Sequence, residues 1–450
     1  MTLLEISFII IFGILVLGFA AFSLTSRHEN QQRAFLLAGL GVLASLALCI
    51  VLIFSPTAVQ VGAALALGVV LFGLLIWFFW PVQQHIPESL PPNQQVDERT
   101  VMFARARMEP GSHEFNAYYQ AHPEHLAPDN GFRQNPGLLS EGASFYDPFL
   151  SSSPDASFFL TEVLSRAVDG SVAPNRTNRS QEKNTTYVKG LARYHGAVDV
   201  GICELHPYHI YSHIGRGEGV WGASIDLDHK FGIAFTVEMA HEMIQAAPRM
   251  PAVMESARQY VEAGKIAVIL AAAIRNLGYP ARAHIDGNYR VIAPLVARDA
   301  GLGEIGRMGL LMTPRLGPRV RLAVVTTDLP LLVDEHTSDP SVIDFCEHCQ
   351  KCVITCPSHA IPEGTRAQQP DGSLRWRINA EQCYTYWTRI GTDCGRCMAV
   401  CPYAHPDSPL HNLIRSGVVH SANFRKAAVK MDDVFYGKKP NPHSPPEWVD

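Results

Sequence analysis

Three apolar runs open the chain, at residues 6–24, 34–54 and 59–80, and none of them contains a charged side chain. Each is close to the roughly 20 residues that a spanning helix needs, so residues 1–80 are expected to form three transmembrane helices. A Pro- and Gln-rich stretch at 81–95 breaks any continuing helix and predicts a linker reaching to about residue 100. Residues 101–190 give no clear period. Beyond them, 192–204 reads as a helix turning into a strand, and 254–277 as an amphipathic helix closed by Gly278. The runs 291–295 and 320–326 read as strands. This alternation predicts an α/β body over 101–335, followed by a cysteine-rich domain over 336–410 and a C-terminal extension over 411–450.

The cations set the expected orientation. Arg27 and Arg33 flank the first interhelix turn, whereas the Ser55-Pro-Thr57 turn has none, so the first turn is expected in the cytoplasm. Three crossings then put the body on the cytoplasmic side of the inner membrane, where Arg99, Arg105 and Arg107 also fit the rule. The N-terminal run carries only Glu5 before it, shows no twin-arginine motif and leads into two further spans, which is unlike a cleaved signal. No span contains His, so a haem held by paired imidazoles is not supported. Trp77 and Trp80 sit where interfacial aromatic residues collect.

With 450 residues, two or three domains are expected. The 37 Lys and Arg against 42 Asp and Glu leave no basic stripe, which argues against a nucleic-acid partner. Of the 10 cysteines, eight fall between Cys346 and Cys401, the clustering of a metal site. The two outside, Cys49 and Cys203, lie in apolar surroundings and read as small hydrophobes. Cys346, Cys349, Cys352 and Cys356, followed by Pro357, form the bacterial ferredoxin run, in which the fourth thiolate reaches the other cluster. Cys383, Cys394, Cys397 and Cys401, before Pro402, form the second run, with Cys383 set apart. Crossed ligation then assigns Cys346, Cys349, Cys352 and Cys401 to one [4Fe-4S] cluster, and Cys383, Cys394, Cys397 and Cys356 to the other. Zinc is the alternative for C-x2-C pairs, but the Cys-Pro endings favour iron and sulfur. The run Gly301-Leu-Gly-Glu-Ile-Gly-Arg307 has G-x-G-x-x-G spacing without a preceding strand, so it reads as a tight cofactor-facing loop rather than a dinucleotide site.

Taken with Asp299-Ala-Gly-Leu-Gly-Glu-Ile-Gly-Arg307, Thr313-Pro-Arg-Leu-Gly-Pro-Arg-Val-Arg321, Thr327-Asp-Leu-Pro330 and the two cysteine runs, the chain resembles the reductive dehalogenases, corrinoid and iron–sulfur enzymes of organohalide respiration. The resemblance covers roughly 190–406. It implies a nitroreductase-like, corrinoid-binding body, with a cobamide bound without a histidine on cobalt. The Asp-x-His-x-x-Gly signature of histidine-on corrinoid proteins is absent, because the nearest match, Asp334-Glu-His336, runs on to Asp339. By position within these motifs, the resemblance implies Tyr260 as the proton donor, Arg321 as the cation beside it and Asn288 as a neighbouring amide. Arg319 and Arg307 are alternatives to Arg321, with loop bracing as their plainer role. Tyr260 also fits a plain core stripe with Val253, Ala257, Ala267 and Ile274. The corrinoid-contacting residues are not readable from one chain.

The function implied is reductive removal of halide from an organohalide by a Co(I) corrinoid fed through two [4Fe-4S] clusters, with a quinol or a ferredoxin as donor. An epoxyqueuosine-reductase-like enzyme and a membrane-bound dicluster electron carrier are the alternatives. Exported family members pair with a separate small three-helix membrane protein, so here such an anchor looks fused to the catalytic chain.

Overall fold

The computed structural model describes residues 2–80, 86–87, 89–335 and 339–449. Part of the linker read at 81–95, namely Pro81 to His85 and Glu88, lies outside these residues, as does His336. The chain divides into two compact units. Met1–His85 with Asp407–Asn441 forms one, and Ile86–Pro406 with Pro442–Asp450 the other.

In the first unit, Leu3–His28, Gln32–Ile53 and Thr57–Phe79 are helices long and apolar enough to cross a membrane, with mean hydropathy of 2.6, 2.8 and 2.5. Together they fit a membrane anchor. Phe8, Phe12 and Leu52 pack between them. At Gly41 a Cβ would lie 2.8 Å from the Phe19 ring, so the missing side chain is what lets the first two helices approach. Gln60 donates to the Leu52 and Ile53 carbonyls at 3.1 and 3.0 Å, pairing helix-end groups that lipid cannot satisfy. The segment read as a C-terminal extension supplies two further helices to this unit, Pro409–His420 and Ala422–Tyr436. Ser421 donates to the Phe78 carbonyl at 2.7 Å, Asn423 donates to that of Trp77 at 2.8 Å, and His411 Nε2 lies 2.8 Å from Glu29.

The second unit is built on a four-stranded antiparallel sheet. Its strands are β1 (Val200–Glu204), β2 (Phe231–Glu238), β3 (Ala281–His284) and β6 (Val320–Thr327), in the order β1-β2-β6-β3. Between β3 and β6 the chain makes a short ribbon of β4 (Glu304–Ile305) and β5 (Leu311–Met312). Alternation along the strands separates two faces. Ile233, Phe235 and Val237 of β2 and Ala323 and Val325 of β6 face one core, with Ala263, Ala267, Leu270 and Ile274 of the helix Met250–Asn276. Ala234 and Val324 face the other, with Ala293 and Val296 of the helix Ala293–Asp299.

The expected helix at 254–277 is present, begins one turn earlier at Met250, and ends before Gly278, whose φ is +84°. The strand expected at 320–326 is β6. The strand expected at 291–295 is not formed. Val291 makes one isolated bridge to Ile210, and the chain then turns helical at Ala293. Pro294 in the first turn fixes φ for a helix and removes a donor that a ladder would need. The silent stretch 101–190 holds the helices Met102–Ala106, His113–Ala121, Pro123–Arg133, Pro148–Ser165 and Gln181–Tyr194. Cys203 is buried in the sheet core, where burial pushes its thiol up to about 12.

Candidate active site

Arg321 and Tyr260 meet because of the two periods that carry them. Arg321 follows the parity of Ala323 and Val325 and so faces the helix Met250–Asn276 from the end of β6, opposite Val237. Tyr260 lies one turn beyond Ser256 on that helix, and the Arg321 guanidinium carbon stands 4.8 Å from the Tyr260 ring centre. Arg321 also donates to Ser256 Oγ at 2.5 Å, Ser256 donates to Asp393 Oδ2, and Arg321 Nη2 lies 3.3 Å from the same carboxylate.

Burial raises the Tyr260 phenol above its ordinary value, and the Arg321 charge pulls against that rise. Burial also raises Asp393, opposed by Arg321 and by the Ser256 hydrogen bond. For Arg321, burial works against the charge, but the fields of Tyr260 and Asp393 outweigh it and its pKa is raised. The guanidinium is therefore a fixed cation beside a neutral phenol. Arg321 Nε and Asp393 Oδ1 are buried without a hydrogen-bond partner among the described residues.

Tyr260 stands where two cavities adjoin. The larger, about 880 Å³, is lined by Phe103, Phe158, Tyr384, Trp387, Asp286 and Asp393, among others. The smaller, about 280 Å³, shares Phe103, Arg216, Tyr260 and Asp286 with it and is otherwise walled by Tyr289, Leu311, Val320 and Arg321. A third, about 230 Å³, adjoins the second at Val101, Tyr211 and Pro294 and reaches Glu304, Ile305, Gly306 and Gly309. The glycine run is thus a turn and ribbon that follows a helix, with its tip on a cavity wall. That is the opposite of the strand-then-helix context of a dinucleotide site. Ser89, Leu90 and Pro92, read as linker, line the same cavity.

Asn288 is fully buried. Its Oδ1 accepts from Arg282 at 2.8 Å and its Nδ2 donates to the Ser165 carbonyl at 3.2 Å, so its amide is committed to the wall rather than turned to the cavity. A Cβ on the cavity residue Gly217 would fall 2.7 Å from it. Arg319 donates to the Ala404 carbonyl at 3.0 Å and pairs with Glu238 at 2.7 Å. Arg307 donates to the Cys346 carbonyl at 3.0 Å. Both therefore brace loops.

The eight clustered cysteines come together in two groups. Cys401 lies in the field of Cys346, Cys349 and Cys352, and Cys394 in that of Cys383 and Cys356. Burial acts most strongly on Cys397, followed by the fields of Cys394, Cys383, Cys352 and Cys356. Burial pushes the thiols of Cys349, Cys352 and Cys394 up to about 12 and that of Cys383 up to about 11. A metal cation is one charge that offsets the desolvation of such buried sulfurs as thiolates, and it is the gathering of eight of them, not their burial, that suits a metal cluster.

Residues 345–405 match the 4Fe-4S dicluster domain family, which decides for iron over zinc. Tetrachloroethene reductive dehalogenase from Sulfurospirillum multivorans is 32% identical over 291 residues, which are 57% of this chain and 58% of that protein. The solved catabolic reductive dehalogenase NpRdhA in complex with 3-bromo-4-hydroxybenzoic acid is 26% identical, with a TM-score of 0.64 over 79% of this chain and 48% of that one. The fold is that of the reductive dehalogenases. Epoxyqueuosine reductase from Lactococcus garvieae is more distant, 32% identical over only 124 residues, or 24% of this chain and 30% of that protein. The chain spans about half the length of the reductive dehalogenases it matches.

Sequence reasoning did not find Ser256, Asp393 or the aromatic wall of Phe103, Phe158, Tyr384 and Trp387. Asp393 had one available signal, its place immediately before Cys394.

Proposed function

We propose that the chain is a membrane-anchored reductive dehalogenase. The net reaction takes an organohalide, two electrons and one proton to the hydrogenated product and halide. The observation that carries this reading is a buried phenol and guanidinium 4.8 Å apart at the junction of two cavities, with two groups of four cysteines in the same unit.

A corrinoid bound in the adjoining cavities would supply the two-electron chemistry at the carbon–halogen bond. The fit is one of room and lining: the three cavities adjoin from Tyr260 to the glycine ribbon, and among the described residues no histidine lines them. Tyr260 Oη holds the proton for the carbon that loses halide. Arg321 stabilises the phenolate left behind, as a cation in a dry site does most effectively. Ser256 and Asp393 hold Arg321 in place, and Asn288 fixes the wall through Arg282 and Ser165. Cys346, Cys349, Cys352 and Cys401 would hold one [4Fe-4S] cluster and Cys356, Cys383, Cys394 and Cys397 the other, and such clusters would supply the electrons singly.

The body faces the cytoplasm from the inner membrane, and a quinol or a ferredoxin is the donor. Anaerobic purification in detergent, with iron, cobalt and halide release measured on one sample against chlorinated and brominated compounds, tests the reading. About eight irons and one cobalt per chain, with halide released under a low-potential donor, are expected. Iron without cobalt from corrinoid-fed cells would mean an electron carrier instead.

A further inference from the structure

Arg307 ends the glycine run, and the proposed chemistry does not use it. Its side chain is 1% exposed. Nε donates to the Cys346 carbonyl at 3.0 Å, and Nη1 donates to the carbonyls of Pro362, Glu363 and Gly364 at 2.8, 3.0 and 2.6 Å. The guanidinium carbon lies 4.6 Å from the Trp376 ring centre. Every one of these partners is neutral. Arg216 pairs with Glu98 and Arg319 with Glu238, but among the described residues Arg307 forms no ion pair.

A buried cation without an anion is costly, and natural proteins rarely keep one unpaired. The nearby groups whose charge would favour this guanidinium begin with Cys346 and Cys352, and include Glu347 and Cys349. The backbone beside it also touches that sulfur group, since a Cβ on Gly306 would sit 3.5 Å from Cys346 Sγ. A [4Fe-4S] cluster on four thiolates carries about two net negative charges when oxidised and about three when reduced, and net charge is one of the terms that sets its potential.

We propose that Arg307 is the fixed counter-cation of the cluster on Cys346, Cys349, Cys352 and Cys401, and that its charge holds that cluster's reduction potential up. The inference rests on the reading that these four sulfurs hold a cluster. Because the added electron increases the negative charge, a fixed cation favours the reduced form, and the one-electron step involves no bond change. The other group has its own buried arginine, Arg396, in the field of Cys394 and Cys397, so a change at position 307 should move one cluster and spare the other.

The test is an EPR-monitored redox titration of the full chain in detergent, with iron assayed, for wild type, Arg307→Gln, Arg307→Met and Arg307→Lys. With iron intact, the neutral variants are expected to lower one midpoint. At a fixed potential the reduced-to-oxidised ratio of that cluster falls about tenfold, or about 59 mV for one electron. Arg307→Lys stays near wild type, and the second signal does not move. Unmoved midpoints in Arg307→Gln overturn the proposal, and so does a shift in Arg307→Lys as large as in Arg307→Gln, because geometry and not charge would then be the cause. If Arg307→Gln loses one cluster's iron, Arg307→Lys decides: retention at an unshifted potential supports the counter-cation, and equal loss makes Arg307 a brace. Wild type with no iron signal at all would instead remove the cluster reading itself.

Discussion

Tyr260 occupies a helix position that otherwise carries small apolar side chains against the sheet, among them Ala263 and Ala267. Its partner Arg321 breaks the apolar row of β6 in the same way. A general acid contributes roughly 10²- to 10⁴-fold, so Tyr260→Phe is expected to lower halide release by at least about 10²-fold while iron and cobalt contents stay at wild-type levels. Undiminished turnover in that variant would reassign the proton donor. Arg321→Met removes the charge that pulls the phenol pKa down, so the proton becomes harder to give. At about 1.36 kcal/mol per unit of pKa, a rate loss of tenfold or more is expected. The pH profile follows from the same causes. In the proposed role Tyr260 acts while protonated, and its folded pKa is raised above the ordinary value of about 10. Its deprotonation therefore adds no alkaline limb to kcat between about pH 7 and 9, and Arg321→Met moves that limb further up. A Tyr260-dependent fall in kcat near pH 8 would contradict this. The pair was legible in the sequence only through the resemblance, since periodicity alone places Tyr260 in a core stripe. Asn288 was legible as a position, but the direction of its amide depends on Arg282 and Ser165, which no local pattern reveals.

At the level of elements, the cysteine runs were readable as a dicluster domain because cluster ligation is written in spacing, and the exchange of one ligand between runs is what that spacing leads one to expect. The helix Met250–Asn276 and strand β6 were readable because each keeps one period for its whole length. The run 291–295 was not, since a short apolar stretch suits a buried strand or a buried helix equally, and Pro294 decided the outcome. The helices of 101–190 stayed silent for a related reason: Phe103 and Phe158 gain meaning only where they meet Tyr384 and Tyr260 across the cavity. The ligand exchange itself can be tested. Cys356→Ser is expected to reduce iron from about eight to about four per chain and to leave the same EPR signal as Cys383→Ser. Cys349→Ser should leave the other signal. If Cys356→Ser matched Cys349→Ser instead, each run would hold its own cluster.

For the molecule as a whole, the proposed sidedness of the anchor unit rests on charge placement, and the fold adds to what the first loop offers. Arg27 ends the first helix and Arg33 begins the second, while the turn at Ser55 and Pro56 is uncharged. The C-terminal helices bring Arg415, Arg425, Lys426 and Lys430 into the same unit. They are fastened through His411 to Glu29 in the first turn and through Ser421 and Asn423 to the Phe78 and Trp77 carbonyls at the end of the third helix. After three crossings, the first turn and the end of the third helix emerge on one side, so these cations add to Arg27 and Arg33 instead of opposing them. By the positive-inside rule, the proposed orientation has that side in the cytoplasm. The sequence showed the arginines of the first turn but not the second set, because nothing local in 409–436 says which surface the two helices pack on. In intact cells, a cysteine placed at Ser55 is expected to react with a membrane-impermeant maleimide, while one placed at Asn30 or Lys430 reacts only after the membrane is opened. Labelling of Asn30→Cys and Lys430→Cys from outside, with Ser55→Cys protected, would invert the topology and with it the compartment from which electrons must come.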